Sequence, residues 1–172
     1  MHDCSGAPAY VLDSDVLMQA HRSYYAFDIC SGFWRAIILH HGNSAVESID
    51  KILGEINKGK GEDVLKQWVK KKLPATFFVS TNDPDVATAY GQIVNWVNGR
   101  PYQIEAKAEF MTEPDGWLIA YAKAKNRIVV TQEISEPNRI NKVKIPDVCD
   151  GVGVQCKGTY DFLRGLGVDL KL

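Results

Sequence analysis

Two acids interrupt an apolar run near the start of the chain, Tyr10-Val-Leu-Asp-Ser-Asp-Val-Leu17. Tyr, Val and Leu suit a strand, and the apolar spacing over residues 16–21 suits a helix, so the run reads as a strand feeding directly into a helix. Asp13 then stands at the strand's carboxyl end. In open parallel sheets ligands bind at that edge, because the βα loops gather there and helix N-termini direct backbone N–H groups toward it. Position alone leaves two readings for Asp13, an N-cap for the following helix or part of a site. A second acid at a strand exit favours the site. The β-branched run Arg127-Ile-Val-Val-Thr131 has the character of a strand buried on both faces, and Glu133 lies just past it. Asp115 precedes Trp117-Leu-Ile-Ala-Tyr-Ala122, a helical segment apolar nearly all round.

If the strands ending at Asp13 and Glu133 are parallel neighbours, their carboxylates emerge together, within reach of the helix head that carries Asp115. A helix-borne acid near position 55 would complete a four-sided cluster. Ile49, Ile52, Leu53 and Ile56 mark one buried helical face, with Ser48 as the expected N-cap. Asp50 and Glu55 flank that face about equally, and periodicity does not choose between them. Bare carboxylates repel by roughly 4 kcal/mol per pair at ~4 Å and an effective dielectric near 20, so some protonate or a cation binds. An all-oxygen ligand set selects Mg²⁺ or Mn²⁺ over zinc. Such ions activate water and stabilise in-line phosphoryl displacement, which on a nucleic acid is phosphodiester hydrolysis.

The elements that must position these acids can be read in order. Helices are expected over residues 32–41, from 49 onward, over 62–72 after a Gly-Lys turn at 58–61, over 83–98 with Asp83-Pro84 as its opening, over 103–111, and at 115–122. Short strands are expected at 76–79 and 154–156. A polar loop spans 134–141, a helical turn follows Pro146, and a helix over 160–166 is expected to be capped by Thr159. This succession predicts a mostly parallel sheet covered on both faces, a three-layer α/β/α sandwich.

At 172 residues the chain fits one domain spanning 1–172, with residues 1–8 as a frayed tail. No apolar stretch approaches the ~20 residues of a membrane span, and the N-terminus lacks the features of a signal peptide, so a cytoplasmic protein with no membrane association is expected. Cys4, Cys30, Cys149 and Cys156 form no Cys-x-x-Cys pair and read as reduced, mostly buried thiols rather than a zinc or redox motif. A net charge of −1 leaves any nucleic-acid contact to local patches. Arg22 is one candidate, equally able to stack or to form an ion pair. Arg139, Lys142 and Lys144 could border the cleft as a phosphate track or be a solvated loop. Trp34 and Trp117 fall in helical apolar stripes and read as core.

The four segments Tyr10-Val-Leu-Asp-Ser-Asp-Val-Leu17, Ser48-Ile-Asp-Lys-Ile-Leu-Gly-Glu-Ile56, Asp115-Gly-Trp-Leu-Ile-Ala-Tyr-Ala122 and Val129-Val-Thr-Gln-Glu133 resemble the motifs of PIN-domain nucleases. His21-Arg-Ser-Tyr-Tyr25, Gly32-Phe-Trp34 and Lys144-Ile-Pro-Asp-Val-Cys149 are similar to an uncharacterised PIN-like family of unknown function. The resemblance implies a Mg- or Mn-dependent ribonuclease, often the VapC-type toxin of a toxin-antitoxin pair, acting on RNA and partnered by an antitoxin. It further implies a homodimer. It names Asp13, Glu55, Asp115 and Glu133 as catalytic metal ligands, with Asp15 and Thr131 in support, and so favours Glu55 over Asp50. Asp15 stands where such nucleases usually carry Asn, and Glu133 where they usually carry Asp. Two other readings stay open. One is a haloacid-dehalogenase-like phosphatase with Asp13 as nucleophile, Asp15 as acid and Phe77-Phe-Val-Ser-Thr81 as its second motif. The other is a PIN-like module that binds RNA or an antitoxin without cutting.

Overall fold

Tyr10, Val11 and Leu12 are all fully buried, as a strand in the middle of a covered sheet requires. In the computed structural model, which describes residues 8–58 and 63–170, they form β1 (Tyr10–Leu12). The chain continues through α1 (Ser14–Gln19), a π-helical turn (Ala20–Tyr24), α2 (Ser31–Gly42), β2 (Val46–Ile49), α3 (Asp50–Lys58) and α4 (Val64–Lys72). A 3₁₀ turn (Ala75–Phe77) leads into β3 (Phe78–Val79), followed by α5 (Pro84–Asn98), α6 (Ile104–Thr112), α7 (Asp115–Lys125) and β4 (Ile128–Val130). The last described elements are α8 (Ile145–Val152), β5 (Cys156–Lys157) and α9 (Thr159–Gly165).

The strands lie in the order β3-β2-β1-β4-β5, and every pairing is parallel. Helices flank this sheet in a three-layer α/β/α arrangement. Tyr10 lies opposite Val46 on one side and Ile128 on the other, and Leu12 lies opposite Val130. The direction of winding reverses between β1 and β4, the kind of switch point at which parallel α/β sheets open a crevice beyond their carboxyl ends. Asp13 and Thr131 are the residues that emerge there. The core is continuous on both sides of β1, with Phe33, Ile37 and Phe77 as well as Leu118, Ile119 and Phe162 fully buried. Among the described residues no helix is long and apolar enough to cross a membrane.

Most expected elements are present, with local differences. Residues 46–49 form a strand, so Ser48 is no N-cap; its hydroxyl donates to Leu12 O at 2.7 Å and ties β2 to β1. Ile49 belongs to that strand, and α3 starts one residue later. Ala75–Phe77 coil into a 3₁₀ turn, which shortens β3 to two residues. The turn expected after Pro146 is an eight-residue helix, because Pro pre-sets the φ of its first turn. Gly158 rather than Thr159 caps α9; the Thr159 hydroxyl instead accepts from Gln132 Nε2 at 2.8 Å. Of the described cysteines only Cys149 is buried, while Cys30 and Cys156 are half-buried, and all three are free thiols. Trp34 is core, whereas Trp117 is half-buried, stacked on Tyr90 at 4.0 Å with Lys51 over its ring. Cys4, residues 1–7 of the expected frayed tail and most of the turn at 58–61 lie outside the described residues.

Candidate metal centre

The sheet order delivers Asp13 and Thr131 side by side. Asp13 follows β1 as the N-cap of α1, with Oδ1 accepting from Ser14 N–H at 2.7 Å, so its capping and site readings are compatible. Its own N–H donates to Val130 O, which fixes it to the end of β4. The Thr131 hydroxyl lies 3.0 Å from Asp13 Oδ2 and 3.0 Å from Asp15 Oδ2, and it accepts from Glu133 N–H at 3.1 Å. Asp15 Oδ2 also accepts from Gln132 N–H at 2.9 Å. A hydroxyl carries a single proton, so the two carboxylates share one donor, and a proton on one of the acids or a cation between them would relieve their repulsion.

The electrostatics agree. Asp13 is held well above the usual carboxylate range, first by burial and then by the charges of Asp15 and Asp115. Asp15 is raised by burial, with Glu133 adding, against hydrogen bonds from Gln132 N–H, Thr131 and Asp13. Asp115, the first residue of α7 and 9% exposed, is pushed up to about 8 by burial, then by Glu113, Glu133 and Glu55, with Lys142 pulling the other way. These are the signatures of acids gathered in a dry place without enough positive charge.

Glu55 projects from α3 into the same field, since it raises both Asp115 and Glu113. Asp50 does not share this position: its carboxylate accepts from Thr81 N–H at 3.2 Å and Thr81 Oγ1 at 2.9 Å, bracing the ends of β2 and β3. Thr81 is thereby placed two strands away from β1 and is engaged with Asp50 rather than Asp13. Glu133 faces α8, where its carboxylate accepts from Ile145 N–H at 2.8 Å and pairs with Lys144 at 3.3 Å. It satisfies the head of that helix while its charge is still felt at Asp15 and Asp115.

The expected basic track is largely neutralised. Lys144 is paired with Glu133, Arg139 with Glu136 at 2.6 Å, and Lys142 with Glu109 at 3.9 Å. Arg22, in the π-helical turn after α1, is exposed. Glu113 was not singled out from sequence. It is half-buried and raised by burial above the usual range, and its charge in turn raises Asp115. The signal available for it is Glu113-Pro-Asp115, a second acid two residues before a helix head.

The donor chemistry fits a hard divalent cation. All candidate ligands are carboxylate oxygens, and Asp15 Oδ1 is buried with no hydrogen-bond partner. The side chains are spread wider than coordination requires: among the described residues no three acids, histidines or cysteines converge closely enough to hold one ion. Asp13 and Asp15 share the Thr131 hydroxyl, and the charges of Asp115 and Glu133 act on this pair while Glu55 acts on Asp115.

Solved structures share this fold. The crystal structure of FitAcB from Neisseria gonorrhoeae matches with a TM-score of 0.56 and 18% identity over 86% of this chain and 95% of that one. A structure of FitAB bound to an IR36 DNA fragment matches with 0.56 and 18%, over 87% and 94%. VapBC2 from Rickettsia felis, bound to a DNA fragment from its promoter, matches with 0.55 and 15%, over 87% and 98%. No curated protein is similar enough in sequence to count as a match. Residues 10–170, from β1 to beyond α9, match the profile of a domain of unknown function, and the chain belongs to that family, DUF4411.

Proposed function

We propose that the protein is a Mg²⁺- or Mn²⁺-dependent endoribonuclease of the PIN-like kind. Asp13, Asp115, Glu55 and Glu133 are assigned to the ion, with Asp15 and Thr131 in support. The observation that carries this reading is the group of buried carboxyls at the carboxyl edge of β1 and β4, raised in pKa by burial and by one another and, among the described residues, ion-paired to no Lys or Arg. A bound divalent ion would supply activation of water and stabilisation of negative charge on the phosphodiester oxygens.

The chain's own groups then have definable tasks. Ser14 N–H orients Asp13, while Gln132 N–H and the Thr131 hydroxyl orient Asp15 and leave its Oδ1 free to face an ion. Asp115 takes up and releases a proton near neutral pH, so its charge becomes available when a cation compensates it. The fold shared with FitAB and VapBC2 supports the further reading of a toxin with a protein antitoxin; an RNA substrate and a homodimer are part of the proposal. Arg22 is the exposed cation nearest in sequence to the acid-bearing α1 and is assigned to a phosphate of the strand.

Replacing Asp13 or Asp115 by Asn tests the assignment, with cleavage of a structured RNA measured in Mn²⁺ and growth followed on expression. Loss of both activities is expected. Undiminished cleavage in both variants rules the assignment out. Calorimetric binding of Mn²⁺ to the native protein without any cleavage would point to the non-catalytic module instead.

A further inference from the structure

Every strand of the sheet runs in the same direction, so β2 and β3 end at the same edge as β1 and β4. Asp50 follows β2 at the head of α3, and Thr81 follows β3. Together with Lys51, Asn82, Pro84 and Trp117 they line a cavity of about 370 Å³. Two strand spacings, roughly 10 Å, separate it along the edge from Asp13 and Thr131. The helices that carry Glu55 and Asp115, α3 and α7, also carry Lys51 and Trp117, within about one turn of those acids. Neither Lys51 nor Trp117 has a task in the proposed metal centre.

Trp117 is held as a platform. One face of its indole stacks on Tyr90, with 4.0 Å between ring centroids and the planes 8° from parallel. Tyr90 is fixed in turn by its hydroxyl, 3.9 Å from Met111 Sδ, and by close approach to α7 at Gly116, where a Cβ would lie 2.9 Å from the tyrosine ring. With Tyr90 on one face, the Lys51 ammonium, 4.6 Å from the ring centre, takes the other, and both Lys51 and Trp117 line the cavity. Lys51 is exposed and, among the described residues, ion-paired to no carboxylate. The acids of the cavity wall are already matched. Asp50 accepts from Lys51 N–H, Thr81 N–H and the Thr81 hydroxyl, and Asp83 accepts from Asp85 N–H and Val86 N–H and pairs with Lys125 at 2.7 Å. The cavity therefore offers a ligand one uncompensated cation and one aromatic face.

We propose that Lys51 and Trp117 form a single-strand-binding subsite, in which an unpaired RNA base stacks on the cavity face of Trp117 and Lys51 swings from the ring to the adjoining phosphate. The substrate rests on the ribonuclease reading of the acid edge; the subsite adds that the strand is unpaired where it is held. A base stacked inside a duplex has no free face to offer. Stacking on an aromatic side chain tolerates any base, so the subsite selects unpaired structure rather than sequence. Lys51, on a flexible four-carbon stem at an exposed position, leaves the ring without disturbing α3.

Fluorescence anisotropy of a short labelled oligouridylate, titrated with the full chain in EDTA over a series of potassium chloride concentrations, tests the subsite. Trp117→Leu should weaken binding about 5- to 150-fold, the range for losing one stacked base, and Trp117→Phe should recover most of that loss. Lys51→Ala should lower the slope of log affinity against log salt by about 0.7, the value of one phosphate contact on a single strand. An RNA duplex should bind Trp117→Leu as it binds the wild type. A wild type that does not bind the oligouridylate, variants that bind it as the wild type does, or an equal loss on the duplex overturns the proposal. Should urea unfolding show that Trp117→Leu does not fold, Lys51→Ala, at an exposed position, decides alone. Because the measurement needs neither metal nor cleavage, the subsite and the assignment of Asp13 and Asp115 fail or stand separately.

Discussion

Asp115→Asn isolates the electrostatic strain of the acid edge. Burial and the neighbouring acids raise this carboxyl from 3.8 to about 8. Between those two values the folded protein keeps a proton that the unfolded chain has released, so each pH unit of increase lowers stability by about 1.4 kcal/mol for this group alone. Across the window from about pH 4 to about pH 8 the loss is on the order of 5 kcal/mol. Asn cannot ionise, keeps the shape of the side chain and removes this dependence. The assay is urea unfolding followed by tryptophan fluorescence, from pH 4.5 to 8.5 in EDTA, for wild type and Asp115→Asn. The variant should gain on the wild type steadily as pH rises and overtake it near neutrality. Saturating Mn²⁺ at pH 8 should reverse the order, because a ligand at ~100 times its Kd adds ~2.7 kcal/mol to a native state that binds it. A stability difference between the two proteins that does not change with pH would refute the reasoning, since the strain would then not come from ionising Asp115.

Thr131→Val keeps the shape but removes the hydroxyl shared by Asp13, Asp15 and Glu133 N–H; a loss of about 1–3 kcal/mol in urea unfolding is expected, and unchanged stability would show that the hydroxyl organises nothing. Gly151→Ala would drive a Cβ into the indole ring of Trp96, so a loss of about 1–3 kcal/mol and an altered near-ultraviolet circular dichroism spectrum are expected, with a wild-type melting profile as the contrary result. Glu133 has two separable roles. Glu133→Ala removes the acceptor for Ile145 N–H and should lower stability by about 1 kcal/mol, whereas Glu133→Gln retains an acceptor and should be near wild type in stability. If Glu133 also holds metal, calorimetric Mn²⁺ affinity falls in both variants; affinity retained in Glu133→Gln would confine the residue to capping α8.

The two acid-tipped strands were legible because β1 and β4 are short apolar runs of strand-favouring residues, each ending in polar residues at the carboxyl edge. Their adjacency is a matter of topology, which the order β3-β2-β1-β4-β5 supplies. Strand β2 was hidden for a physical reason. Val46-Glu47-Ser48-Ile49 is four residues long, Glu47 is made compatible with partial burial by Arg127 at 2.7 Å and Tyr121 at 2.9 Å, and Ile49 falls by coincidence on the helical face that continues through α3. Periodicity could not separate Asp50 from Glu55 either, because the difference lies in a tertiary partner, Thr81, that claims one of them. Glu113 carries little signal in the sequence because part of its environment, Glu55 and Lys142, is distant along the chain. The same is true of Lys144 and Arg139, whose positive charge in the sequence gives no hint that acids of the fold already balance it.

Thr131 reaches Asp13 across 118 positions of sequence, and β1 has no neighbour on that side until β4 exists. During synthesis the first strand, the first helix and β2 can associate early, but the crevice cannot assemble until β4 has left the ribosome. Under the proposed function, the acids that would act on RNA are not yet gathered while the chain is nascent and surrounded by the translation machinery. Its activity would switch on only as the far half of the sheet docks, and that is also when a waiting partner protein could first meet the finished surface.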